Sequence, residues 1–146
     1  MAAVNYCRGA ALVLALLLMP TLVLAQQAIN PAVYIALNSA QKAQQSGDLA
    51  GARTTLNGAL DKAADGSMEL ALIQQRLGYV AIAAEQYPQA IDWLNKALAH
   101  DRLDAEVARQ DRLNLAQLLA VQERYPEAAR LLERERRNAP LNLEQT

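Results

Sequence analysis

Apolar residues recur at steps of three and four along most of this chain. Leu70, Ile73, Leu77, Ala81 and Ala84 make one such stripe, and Ala90, Ile91, Leu94, Ala97 and Leu98 make another. That spacing belongs to helices that bury one face. Nowhere does an apolar-polar alternation persist long enough to predict a strand. Local signals divide the pattern into six helices. Asn30-Pro31 supplies a cap oxygen and a first-turn proline, so a helix starts there and runs to about Ser46. Gly47 ends it and Asp48 caps the next, over about Leu49 to Ala63. Asp65-Gly66-Ser67 is a break, with Ser67 as cap and Glu69 in the first turn of a helix that reaches about Glu85. Pro88 opens the fourth helix, which ends near His100, Asp104 the fifth, which continues to about Glu123, and Pro126 the sixth, which stops at Asn138-Ala139-Pro140. The fold class is all-α, with six helices paired as three hairpins.

The hairpins repeat. Leu56-Asn57-Gly58-Ala59-Leu60 returns as Leu94-Asn95-Lys96-Ala97-Leu98, and Tyr87-Pro88-Gln89-Ala90 returns as Tyr125-Pro126-Glu127-Ala128, each after 38 residues. A fixed period in this range is the signature of stacked supersecondary units. The units span about 31–66, 67–103 and 104–140, followed by a short tail, 141–146. Gly78 lies beside the apolar stripe of its helix. A helix-interior glycine costs about 1 kcal/mol relative to alanine, so its presence predicts close approach of a neighbouring helix. Trp93, Tyr87 and Tyr125 are expected to pack within the hairpins.

Leu77-Gly78, Ala90, Leu94 and Ala97 resemble the tetratricopeptide repeat signature. The third hairpin matches it through Leu115, Ala116, Ala128, Leu132 and Pro140, and the first through Ala40, Ala52, Leu56 and Ala59. The family period is about 34 residues, so the longer period here places extra residues in the junctions Lys62–Ser67 and His100–Glu106. The resemblance implies a right-handed α-solenoid of three helix-turn-helix repeats. It also implies that the first helix of each repeat lines a groove for a protein or extended peptide. Carried over by helix phase, that groove comprises Tyr34, Leu37, Gln41 and Gln44, then Leu72, Gln75, Tyr79 and Ile82, then Gln110, Leu113, Gln117 and Val121. Some members clamp acidic C-termini with Lys, Arg and Asn. Here Leu37, Gln41 and Gln110 occupy the corresponding positions, with Arg76 and Asn114 the partial matches, so that clamp is missing as a set. The stretch from Ala105 through Asn114–Leu118 to Ala128 further resembles repeats of Gram-negative envelope proteins associated with TonB-type energy transduction.

The N-terminus adds a location. Gly9 to Leu24 is apolar except for Pro20 and Thr21, follows the single basic residue Arg8, and ends in Val23-Leu24-Ala25. This reads as a secretory signal peptide, residues 1–25, removed after Ala25 and followed by a linker at 26–30. Periplasmic or secreted localisation follows, with an uncleaved inner-membrane anchor as the alternative. Cleavage removes Cys7, the one cysteine, and leaves 13 basic against 15 acidic residues. Disulfide and thiolate chemistry then have no residues to use, and a slightly acidic chain is no match for nucleic acid.

Catalysis needs a constellation that this sequence does not offer. His100 is the one histidine and sits near a helix end. Gly47 and Gly51 do not form a phosphate-binding loop, because no Lys-Ser/Thr follows them. Asp101 and Asp104 read as loop and cap, and Ser39, Ser46 and Ser67 have no base. No enzyme activity, metal or cofactor is therefore expected. Arg134, Arg136 and Arg137 form a small basic cluster interleaved with Glu133 and Glu135. After Pro140 the chain is too short for a capping helix, so the last repeat is expected to leave apolar surface bare. The resulting function is a non-catalytic adaptor for a protein partner, accessory to an envelope membrane complex. Two alternatives stand beside it: a structural protein that forms a homodimer through its C-terminal repeat, and a membrane-tethered accessory.

Overall fold

The structure, a computed structural model, describes residues 29–138. The signal peptide, the proline stop at Pro140 and the tail lie outside the described residues. Six helices follow in order: α1 Pro31–Gln45, α2 Leu49–Leu60, α3 Met68–Ala83, α4 Tyr87–Ala99, α5 Ala105–Val121 and α6 Tyr125–Asn138. No strand occurs among the described residues. Within each hairpin, α1 packs on α2, α3 on α4 and α5 on α6. Between hairpins, α2 packs on α3 and α4 on α5. This is the layout of a tetratricopeptide-like helical solenoid.

The caps act as the sequence suggests. Asn30 accepts a hydrogen bond from the Ala32 amide at 2.9 Å, Asp48 from Gly51 at 2.8 Å, Ser67 from Leu70 at 3.1 Å and Asp104 from Glu106 at 2.9 Å. Each satisfies an amide that the helix itself leaves without a partner. Glu69 has a second role, because its carboxylate accepts a hydrogen bond from the Asn30 backbone amide. It thereby ties the start of α1 to the start of α3. Junction residues lie where the longer period demands them, in the segments after Leu60 and after Ala99.

The three corners inside the hairpins share one geometry. Gly47, Glu85 and Glu123 stand 38 residues apart, all with positive φ, at 84°, 58° and 58°. At each corner the following amide reaches back five residues, from Asp48 to Ala43, Gln86 to Ala81 and Arg124 to Leu119, every time at 2.8 Å. The left-handed residue lets the chain reverse while the last carbonyls of the helix remain bonded. Glycine adopts this conformation freely, whereas a glutamate does so at a cost of about 1–2 kcal/mol.

Two apolar cores form, and the middle hairpin contributes to both. Val33, Ala36, Ala40, Ala52, Leu56 and Ala59 enclose Ile73, Leu77 and Val80 of α3. Ala90, Ile91 and Leu94 of α4 join Leu115, Leu118, Leu119, Ala128 and Leu131 in the other. Ala97 is buried as well. At Gly78 a methyl group would stand 2.9 Å from Cγ and Cδ2 of the buried Leu94. The close approach inferred from this glycine is therefore real. Trp93 packs half-buried against the first core, with the Lys96 ammonium 4.5 Å from its ring centroid.

Two packing assignments need correction. Leu132 is 47% exposed, and Leu131 is the buried leucine of α6. Leu132 sits 38 residues after Leu94, whose burial depends on the next hairpin; no further hairpin follows α6 among the described residues. Tyr125 is exposed for the same reason, whereas its counterpart Tyr87 packs against the second core.

Gly78→Ala is expected to destabilise the fold by about 1–2 kcal/mol in urea unfolding, the overpacking at Leu94 outweighing the gain in helix propensity. Glu123→Gly should raise stability by up to about 1 kcal/mol by relieving the left-handed corner.

Candidate functional site

The first helices, α1, α3 and α5, form one side of the array. Along α1 this side presents Tyr34, 59% exposed, and Gln41, with Gln44 half-buried. Leu37 is on the same helix but packs against the first core. On α5, Gln110, Gln117 and Val121 are exposed and Leu113 is half-buried. The amides and Tyr34 can offer hydrogen bonds and rigid contact area to an extended chain. Gln41 already accepts a hydrogen bond from Arg76 at 3.5 Å, the outer limit of such a contact.

The middle of this side is built differently. Asp111 of α5 is completely buried, and its carboxylate accepts hydrogen bonds from the Gln75 amide at 2.6 Å and from the Tyr79 hydroxyl. Asn114 donates to the same hydroxyl at 3.1 Å, and Gln110 donates to Asn114 at 3.1 Å. Five polar side chains thus connect α3 to α5. No buried side-chain polar atom among the described residues lacks a partner. Burial, and after it the hydrogen bond to Asp111, pushes the Tyr79 phenol up to about 12 from its ordinary 10.0.

This corrects part of the expected groove. Gln75 is buried and Tyr79 is half-buried with its hydroxyl engaged, so both serve the α3–α5 contact. Ile82 packs against the second core, and Leu72 is half-buried. Tyr34, Gln41, Gln44, Gln110, Leu113, Gln117 and Val121 remain on the accessible part. Asp111 is the residue that sequence reasoning missed. One repeat earlier its place is held by Ile73, fully buried against the first hairpin, and two repeats earlier by Ile35, 61% exposed with no hairpin packed on its side among the described residues. An acid aligned with isoleucines at the repeat period was the available signal.

His100 follows α4 as its C-terminal cap, and its Nε2 lies 3.0 Å from Oε1 of the buried Gln74, which joins the end of α4 to α3. Among the described residues no group of acidic or histidine side chains has the arrangement of a metal site. No described helix is long and apolar enough to cross a membrane.

A family model, described as tetratricopeptide repeat-like domain, matches residues 20–108. The chain belongs to the tetratricopeptide repeat-like family. The match takes in the first two hairpins and ends in the first turn of α5. The third hairpin joins the tetratricopeptide-like array through its geometry: the same left-handed corner and the same buried stripe, with Leu115 and Ala116 in the places of Leu77 and Gly78. No curated protein and no solved structure matches the chain. Tetratricopeptide repeat-like domains mediate protein–protein interactions and are typically non-catalytic, which fits a side lined with amides and engaged polar groups.

Asp111→Ala leaves Gln75 and Tyr79 without their acceptor and is expected to cost about 2–4 kcal/mol in chemical unfolding. The Tyr79 pKa is raised on folding, so its contribution is complete below about pH 10 and is lost as pH rises toward about 12. Tyr79→Phe should flatten that alkaline decline when urea midpoints are compared across the range.

Proposed function

We propose that this protein is a periplasmic adaptor that holds an extended segment of a protein partner along the side formed by α1, α3 and α5. The observation that carries the reading is the division of that side. Its centre is fixed by the Asp111 network, while Tyr34 and Gln41 on one flank and Gln117 and Val121 on the other stay accessible. A prearranged surface loses little entropy on binding, and exposed amides can pair with both N–H and C=O of an extended chain. The apolar leader with its Val23-Leu24-Ala25 ending supports export to the periplasm of a Gram-negative cell. The likeness of the third hairpin to TonB-associated repeats supports a role as accessory to an envelope complex of that type.

Two further readings each have an observation behind them. Val121, Tyr125 and Leu132 are exposed apolar side chains on the last hairpin, which favours a homodimer formed through that repeat. The apolar run from Gly9 to Leu24 is the basis for the other, a chain that keeps its leader as a membrane tether.

Chemical crosslinking in the periplasm followed by pull-down should recover a specific partner with the wild type. Recovery should fall about tenfold or more with Tyr34→Ala combined with Gln117→Ala, at unchanged helicity. An unchanged partner profile would count against the groove. Sedimentation across a concentration series tests the homodimer, and intact mass distinguishes a chain beginning at Gln26 from one that keeps Met1.

A further inference from the structure

The opposite side of the array, formed by the second helices, carries a feature that the groove reading does not use. Between α4 and α6, with α5 as its floor, runs an open cleft of about 800 Å³. Its apolar surface comes from the half-buried Leu98, with the core residues Leu115, Leu119 and Leu131 showing only their edges at the floor. Five arginines also line it, and two of them are already engaged. Arg112 donates to Glu135 at 2.5 Å and Arg124 to Glu127 at 2.7 and 2.8 Å. The other three, Arg130, Arg134 and Arg137, follow one another at steps of four and three and so share one face of α6. All three are exposed, and among the described residues none has a carboxylate within ion-pair distance. Glu133 is the single acid of the lining outside the two pairs. A chain whose formal net charge is −1 thus concentrates cations on one wall of this cleft.

We infer that this cleft is a second docking site, which takes an acidic segment of a partner protein whose carboxylates alternate with apolar side chains. The three guanidinium groups span about 10 Å of helix, a length that two or three carboxylates on one face of a short segment can match. Each guanidinium can receive a carboxylate through two parallel hydrogen bonds, while Leu98 and the leucine edges at the floor meet the apolar side chains between them. The chemistry selects against the other polyanions. A lipid surface calls for a protruding apolar element, and this one is recessed. Nucleic acid calls for a broad basic face, and the cations here occupy one stripe. The inference is independent of the groove on the first helices.

The test uses the full chain and a fluorescein-labelled peptide of about twelve residues in which Leu and Glu alternate, read by anisotropy. The wild type should bind it at least about tenfold more tightly than the same peptide with Gln in place of Glu, with affinity falling as salt rises. Arg130→Gln, Arg134→Gln and Arg137→Gln together should abolish that preference, the single change Arg134→Gln should reduce it, and Arg→Lys at the three positions should restore part of it. Tyr34→Ala with Gln117→Ala should leave it unchanged. Equal binding by the wild type and the triple Gln variant overturns the inference, as does loss of binding in the groove variant. Sedimentation of the wild type, but not the triple variant, with phosphatidylglycerol vesicles in the absence of peptide binding would assign the cations to a lipid surface instead. Tenfold tighter peptide binding by a chain carrying Leu141→Ser, Leu143→Ser and Glu144→Gln would mean that the protein's own C-terminal residues occupy the cleft, and would overturn it too.

Discussion

The approach of α3 to α4 at Gly78 and Leu94 is the contact on which the array depends. The absence of a side chain at Gly78 lets Leu94 lie against the backbone of α3, and both positions are buried. That closeness lets one hairpin serve two cores. α3 turns Ile73, Leu77 and Val80 toward the first hairpin, and α4 turns Ala90, Ile91 and Leu94 toward the third. Moving the two helices apart would loosen both cores at once, because close-packed interiors do not stretch to fill a gap. The outer hairpins are less constrained, since each has a neighbour on one side among the described residues.

The two junctions between hairpins are made in different ways. At the first, α3 packs directly against α1 and α2, and the fully buried Ile73 fills the interface. At the second, α5 packs on α4, and the hydrogen bonds of Asp111 to Gln75 and Tyr79 bridge it to α3, beside the apolar Ala81 and Ile82. Replacing an aliphatic residue by a carboxylate at the same repeat position changes the physics of the contact. An apolar contact is non-directional, whereas a buried carboxylate requires its donors at hydrogen-bond distance and angle. The third hairpin is thus held to α3 by directional bonds at the Asp111 end, and it lines the cleft on the opposite side.

Much of this was legible in the sequence, because the same signals recur in each copy. Caps at Asn30, Asp48, Ser67 and Asp104, the stripe from Leu70 to Ala81 and the glycine at 78 each have a local cause that one helix reveals. The misassigned residues depended on neighbours that helix phase does not report. Leu132 has the residue type of a core position, yet it is exposed, with no hairpin packed on it among the described residues. Gln75 and Tyr79 have the residue types of a binding face, and only Asp111 on another helix draws them inward. The cleft was the least legible, since Arg134 and Arg137 form it together with Arg130, while Arg136, their neighbour in sequence, points elsewhere on the same helix.

The left-handed corner at Gly47, Glu85 and Glu123 has a consequence for how such a chain can grow. Each corner closes with the same backbone bond, which needs no particular side chain, as the use of glutamate at two of three corners demonstrates. A duplicated unit would therefore arrive with its reversal already built, and natural variation would be confined to what the new helices touch. The exchange of isoleucine for aspartate between the second and third copies is variation of that kind: an unchanged ruler, with a new joint at one of its marks.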